Sequence, residues 1–73
     1  MVNIGSRFNI KNRIKVFRSE KKLTQQALAD AVGVTRATIN AMEKGAYNPS
    51  LELAFRLSRF FEVDIQTIFS VED

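Results

Sequence analysis

From Ile10 to Lys22 the apolar positions Ile10, Ile14 and Phe17 fall at i, i+4 and i+7, the period of a helix with one buried face. Leu23 then leads into Thr24, whose hydroxyl suits an N-cap, and a second helix buries Leu28, Ala29 and Val32 before Gly33 stops it. Thr35 caps a third helix, which runs through Ile39 and Met42 to Gly45. After the segment AYNPS, with the only proline, Ser50 opens a fourth helix whose stripe is Leu53, Ala54, Leu57, Phe60 and Phe61. Asp64 caps a last short helix, where Ile65, Ile68 and Phe69 close the bottom of the core. The expected fold is all-α, a compact five-helix bundle spanning residues 10–69. Residues 70–73 are an acidic end expected to fray. Residues 1–9 form an N-terminal segment, either a flexible basic tail or an arm. Val2, Ile4 and Phe8 alternate there in a loosely strand-like way that Gly5 weakens.

Only Gly33, Val34 and Thr35 join the second and third helices, so the pair is expected to cross at a large angle, the geometry of a helix-turn-helix. With Ile39 at the centre of the inward face of the third helix, Thr35, Met42 and Glu43 share that side. Ala37, Asn40, Ala41 and Lys44 lie opposite, flanked by Arg36 and Thr38. An outer face this small and polar suits a groove about 12 Å wide. There Arg36 can reach guanine, Asn40 adenine, Thr38 either, and the Ala37 methyl a thymine methyl. Taken alone, the same face also describes an ordinary solvated helix.

Two charges break the apolar stripes: Arg18, beside Phe17 on the first helix, and Glu43 on the third. Either would be costly to bury alone. Paired, they would be tolerable and would fix the third helix to the first, so a structural Arg18–Glu43 salt bridge is expected.

Composition narrows the chemistry. The 73 residues contain no cysteine and no histidine, which removes disulfides, zinc fingers, thiol nucleophiles and every histidine-dependent triad. With no carboxylate pair on a shared helix face and no phosphate loop, neither an enzyme, a metal nor a cofactor is expected. No apolar run approaches the length of a membrane span, so a cytoplasmic protein without membrane contact is expected. Net charge is +3, but residues 1–22 carry seven cations against Glu20 alone, a local +6, while residues 51–73 sum to −3. The basic end suits a polyanion and equally a solvated face.

The run LTQQALADAVGVTRATINAMEKGAYNPSLELAFRLSRFF resembles the helix-turn-helix domain of the Cro and phage-repressor class, also called the XRE family. The resemblance covers about Ile14 to Phe69. Its most specific parts are LTQ, the Ala-x-x-x-Gly-Val turn, ME-x-G and NPSL. It implies a regulator that binds double-stranded DNA as a homodimer, with helices set in successive major grooves of a palindromic operator about 34 Å apart, and represses by occupancy. Arg36, Ala37 and Thr38 match base-reading positions, Gln25 matches a phosphate clamp, and Arg18 and Glu43 match positions that the family pairs. Gln26, Thr35, Lys44, Tyr47 and Asn48 extend the expected phosphate contacts, with Lys11, Arg13 and Lys15 as weaker candidates. The chain departs from the pattern in about nine additional N-terminal residues, and no sensing domain is expected after the fifth helix. The expected dimer surface is the C-terminal end, through Phe55, Phe60, Ile68, Phe69 and Val71, with Val2 and Ile4 as the other candidate. An antitoxin-like regulator or a protein-interaction module on the same fold is the competing expectation.

Overall fold

The computed structural model describes residues 9–72. A strand β1 (Asn9–Asn12) leads into five helices, α1 (Ile14–Glu20), α2 (Gln25–Val32), α3 (Arg36–Glu43), α4 (Leu51–Phe61) and α5 (Ile65–Ile68), and a second strand β2 (Phe69–Glu72) follows. The architecture is therefore helical with a small sheet, which corrects the all-α expectation.

The two strands pair antiparallel, with Asn9 opposite Glu72, Ile10 opposite Val71, Lys11 opposite Ser70 and Asn12 opposite Phe69. Cross-strand partners share a face, so Ile10, Asn12, Phe69 and Val71 lie on one side of the ribbon, and the polar Asn9, Lys11, Ser70 and Glu72 on the other. Lys11 Nζ sits 2.6 Å from Glu72 on the polar side. Two expectations change as a result. Ile10 belongs to the strand rather than to the first helix, which starts four residues later at Ile14. Residues 70–72, expected to fray, are held by the ladder to β1. The expected arm or tail at Val2, Ile4 and Phe8 lies outside the described residues.

The core is a single cluster formed by Ile14, Leu28, Ala29, Val32, Ile39, Met42, Leu53, Leu57, Phe61 and Ile68. Phe17, Val34, Phe60, Val63 and Phe69 pack against its margin. Short polar side chains start three of the helices. Thr24 accepts from the Ala27 amide, Thr35 from that of Thr38 and Ser50 from that of Leu53, each satisfying a donor with no partner in the helix. Asp64 occupies the equivalent place before α5, but its side chain makes no capping bond. Its backbone carbonyl accepts from Thr67 instead, at 2.9 Å.

Four helix ends close alike, with one residue in the left-handed region and the next amide turned back onto the last turn of the helix. Glycine takes that place at Gly33 and Gly45, whereas Lys22 and Glu62 take it after α1 and α4, at φ 55° and 58°. Leu23 and Val63 then donate back to Arg18 and Ser58. A side chain in this region costs about 1–2 kcal/mol, part of which glycine returns as chain entropy. Glu62→Gly is therefore expected to raise stability by about 0.5–1 kcal/mol. A chemical denaturation midpoint no higher than the parent's would contradict this.

Candidate nucleic-acid interface

The turn between α2 and α3 is built on one carbonyl. Ala29 O accepts from Gly33 N at 2.9 Å and from Val34 N at 3.0 Å, while Gly33 takes φ 78°. Val34 can then pack at the margin of the core. Arg56, from α4, donates through Nη1 to Val32 O at 3.2 Å, satisfying a carbonyl at the C-terminal end of α2 where a cation is favoured. Its Nη2 meets Glu52 one turn earlier. Sequence spacing shows only that Glu52 contact, so the hold of Arg56 on the turn was not legible.

Ile39 and Met42 are the buried residues of α3, which leaves the opposite side free. Arg36, Ala37 and Lys44 are exposed, and Thr38, Asn40 and Ala41 are half-buried. Asn40 lies one turn after Arg36 on the same side of the helix. Thr35 and Thr38 share a hydrogen between their hydroxyls at 3.0 Å, so the cap also steadies Thr38. Tyr47 and Asn48, beyond the end of α3, are exposed. Gln26 is exposed in the first turn of α2, its amide donating to Asp30 at 2.8 Å. Of the weaker candidates, Lys15 is exposed on α1, Lys11 is on β1, and Arg13 precedes α1 with its guanidinium 5.3 Å from the centre of the Phe17 ring.

Behind this face, Arg18 and Glu43 meet through two bonds, Nε to Oε2 at 2.7 Å and Nη2 to Oε1 at 3.2 Å. Their side chains are 14% and 6% exposed. Arg18 Nη1 also donates to Leu23 O at 2.8 Å, so one guanidinium joins α1, the entry to α2 and the end of α3. Burial works to raise the Glu43 carboxyl, but hydrogen bonds from Arg18 and Gln25 and the charges of Arg18 and Lys15 together hold it below its ordinary value. The hydrogen bond to Glu43 holds the Arg18 guanidinium above its ordinary value, against the opposing effect of burial. The pair is ionised on both sides.

Gln25 takes part in this network. Its Nε2 donates to Glu43 Oε1 at 3.0 Å and to Asn40 Oδ1 at 3.3 Å, so the amide expected at a phosphate is turned inward toward α3. The carboxylate of Glu43 draws it there. Asn12 is a further residue that sequence patterns did not single out. Its Nδ2 donates to Met42 O at 2.8 Å and its Oδ1 accepts from Ile14 N at 3.2 Å, tying the ribbon to the end of α3 and the start of α1. Asparagine just before an apolar run could have flagged the second contact but not the first.

Among the described residues no buried side-chain polar atom lacks a partner, and no cluster of acidic residues could hold a metal ion. No helix there is long and apolar enough to cross a membrane.

The helix-turn-helix family matches residues 14–68, from the first residue of α1 to the last of α5. An uncharacterized HTH-type transcriptional regulator of Methanocaldococcus jannaschii is 52% identical over 64 residues, covering 88% of this chain and 97% of that protein. The cryptic phage CTXphi transcriptional repressor of Vibrio cholerae is 36% identical over 59 residues, covering 81% of this chain and 53% of its own length. Among solved structures, the restriction-modification controller protein of Aeromonas hydrophila superposes with a TM-score of 0.68 at 26% identity, covering 74% of this chain and 78% of that one.

Proposed function

The chain belongs to the Cro/C1-type, or XRE, helix-turn-helix family of transcriptional regulators, and from that premise we propose that it is a sequence-specific repressor that sets α3 into the major groove of double-stranded DNA. The observation that carries this reading is the division of α3. Ile39, Met42 and the Glu43–Arg18 pair hold one side, while the other offers Arg36, Ala37 and Lys44 with no acidic side chain among them. Arg36 gives a guanidinium fork suited to guanine O6 and N7, Ala37 a methyl for thymine, and Thr38 and Asn40 shorter polar contacts deeper in the face. Gln26 and Thr35 at the helix starts, and Lys44, Tyr47 and Asn48 at the far end of α3, grip backbone phosphates and set the register.

A palindromic operator and a homodimer follow from size, because an α3 of eight residues is about 12 Å long and reads few base pairs alone. Of the dimer candidates, Ile68 is 1% exposed and belongs to the core, and Phe60 and Phe69 pack against that core. Phe55, at 52% exposed, and Val71 stay available. Action in the cytoplasm by simple occupancy, without effector or cofactor, completes the reading. The described Vibrio cholerae repressor supports repression as the outcome. The alternative, an interaction module or antitoxin-like protein on the same fold, has one observation in its favour. Leu51 and Phe55 lie one turn apart on α4, at 71% and 52% exposed, and make an apolar strip that a protein partner could cover.

Selection of binding sites from random duplexes at two salt concentrations separates the two. A palindromic consensus with affinity falling steeply in salt is expected, and weak sequence-blind binding would favour the interaction module. In the same assay Arg36→Ala should relax one position per half-site, at a cost of about 1–3 kcal/mol. A uniform loss across all sequences would remove Arg36 from base reading.

A further inference from the structure

The inward turn of Gln25 has a consequence for what Asn40 can read. A carboxylate accepts hydrogen bonds and cannot donate them, so Glu43 Oε1, 3.0 Å away, must be faced by the nitrogen of the Gln25 amide and not by its oxygen. Glu43 is in turn kept ionised by Arg18, whose Nε lies 2.7 Å from Oε2. That same Gln25 nitrogen lies 3.3 Å from the Asn40 amide. Were the Asn40 amide reversed, two NH2 groups would oppose each other, so Asn40 must turn its oxygen inward. What it can show outward is then its NH2 group alone.

We propose that Gln25 is a positioning residue that fixes the polarity of Asn40, so that Asn40 reads the major groove as a donor only. The inference rests on the reading that α3 enters that groove. An asparagine with both ends free pairs with adenine by donating to N7 and accepting from N6. With its oxygen turned inward toward Gln25 and away from the base edge, that second bond is lost and the adenine N6 donor faces a donor. Guanine, which presents acceptors at both N7 and O6, becomes the favoured base, and cytosine, which presents only a donor, the least favoured. The order of donors and acceptors thus runs from Arg18 through Glu43 and Gln25 to Asn40, and a part-buried ion pair selects a base that it does not touch.

The test uses the full chain and selection from random duplexes with the parent, Asn40→Ala, Gln25→Ala and Gln25→Met. Asn40→Ala locates the base pair that Asn40 reads, as the one whose preference flattens. The parent is expected to favour guanine over adenine there. Both Gln25 variants free the Asn40 oxygen, and the adenine-to-guanine ratio should rise about tenfold at that base pair and at no other. Gln25→Met keeps the length of the side chain, so it guards against loss of packing in the alanine variant. Should both variants melt early, binding of the parent to paired operators differing only in guanine or adenine still decides the matter. Adenine preferred by the parent, a ratio unmoved by either Gln25 variant, or no position flattened by Asn40→Ala would each overturn the polarity assignment while leaving a selected palindrome intact. Absence of any consensus would instead take down the groove-binding premise, and this inference with it.

Discussion

Arg18→Ala is expected to cost about 3–5 kcal/mol of folding stability, because it leaves the Glu43 carboxylate, 6% exposed, without its cation. The change also strips Leu23 O of the guanidinium donor that ties the entry of α2 to α1. In a domain of this size such a loss corresponds to a fall in melting temperature of more than about 12 °C. Glu43→Ala should be comparably damaging, since it strands the cation and releases Gln25. Thermal melts of either variant that overlay the parent's would show the pair to be ornamental. The pH dependence has a defined sign. Glu43 titrates lower in the folded protein than in the unfolded chain, so its contribution is complete above the ordinary glutamate value and disappears as pH falls through the lower, folded one. Stability of the parent should therefore drop across that acidic interval, and Arg18→Ala should flatten the drop.

Ile39→Ala is the second large effect, at about 2–4 kcal/mol. Ile39 is fully buried and shares with Met42 the whole apolar footing of α3. Truncation leaves a void where the helix meets Leu28 and the rest of the core, and the short α3 keeps only Met42 as a buried side chain. The denaturation midpoint should fall with little change in slope, as for a loss of packing rather than a change of unfolded state. Operator affinity should fall too, while the preferred sequence stays the same, because the residues proposed to read bases are untouched. A changed consensus in Ile39→Ala would mean that its packing sets the orientation of α3 as well as its stability.

How far the sequence reveals this fold depends on whether a feature is local. Thr24, Thr35 and Ser50 each stand just before an apolar run, where a short oxygen finds amides without partners, and each caps its helix. Gly33 and Gly45 mark left-handed ends because glycine there meets little penalty. Lys22 and Glu62 fill the same conformation without any compositional sign. Charge on an apolar stripe also stands out, and Arg18 and Glu43 are such charges, 25 residues apart in sequence and 2.7 Å apart in space. The ribbon is the opposite case. Ile10 fits the helical period of Ile14 and Phe17 as well as it fits a strand, and the partner that decides between them, Val71, lies at the other end of the chain. At the candidate interface, residue types on α3 were readable from helical phase. The direction in which Gln25 points was not, since it depends on a carboxylate brought close by the crossing of two helices.

Because Asn9 pairs with Glu72, the chain enters and leaves the domain about 5 Å apart. A unit with both leads on the same side behaves as a cassette. It can be spliced into a surface loop of a host protein without prying the host's backbone open, its two junctions continuing the strands of the ribbon. Asn12 fastens that ribbon to the Met42 carbonyl near the end of α3. A pull or twist at the junctions would therefore bear first on the Asn12 bond to Met42 O, the tie between the ribbon and the end of α3.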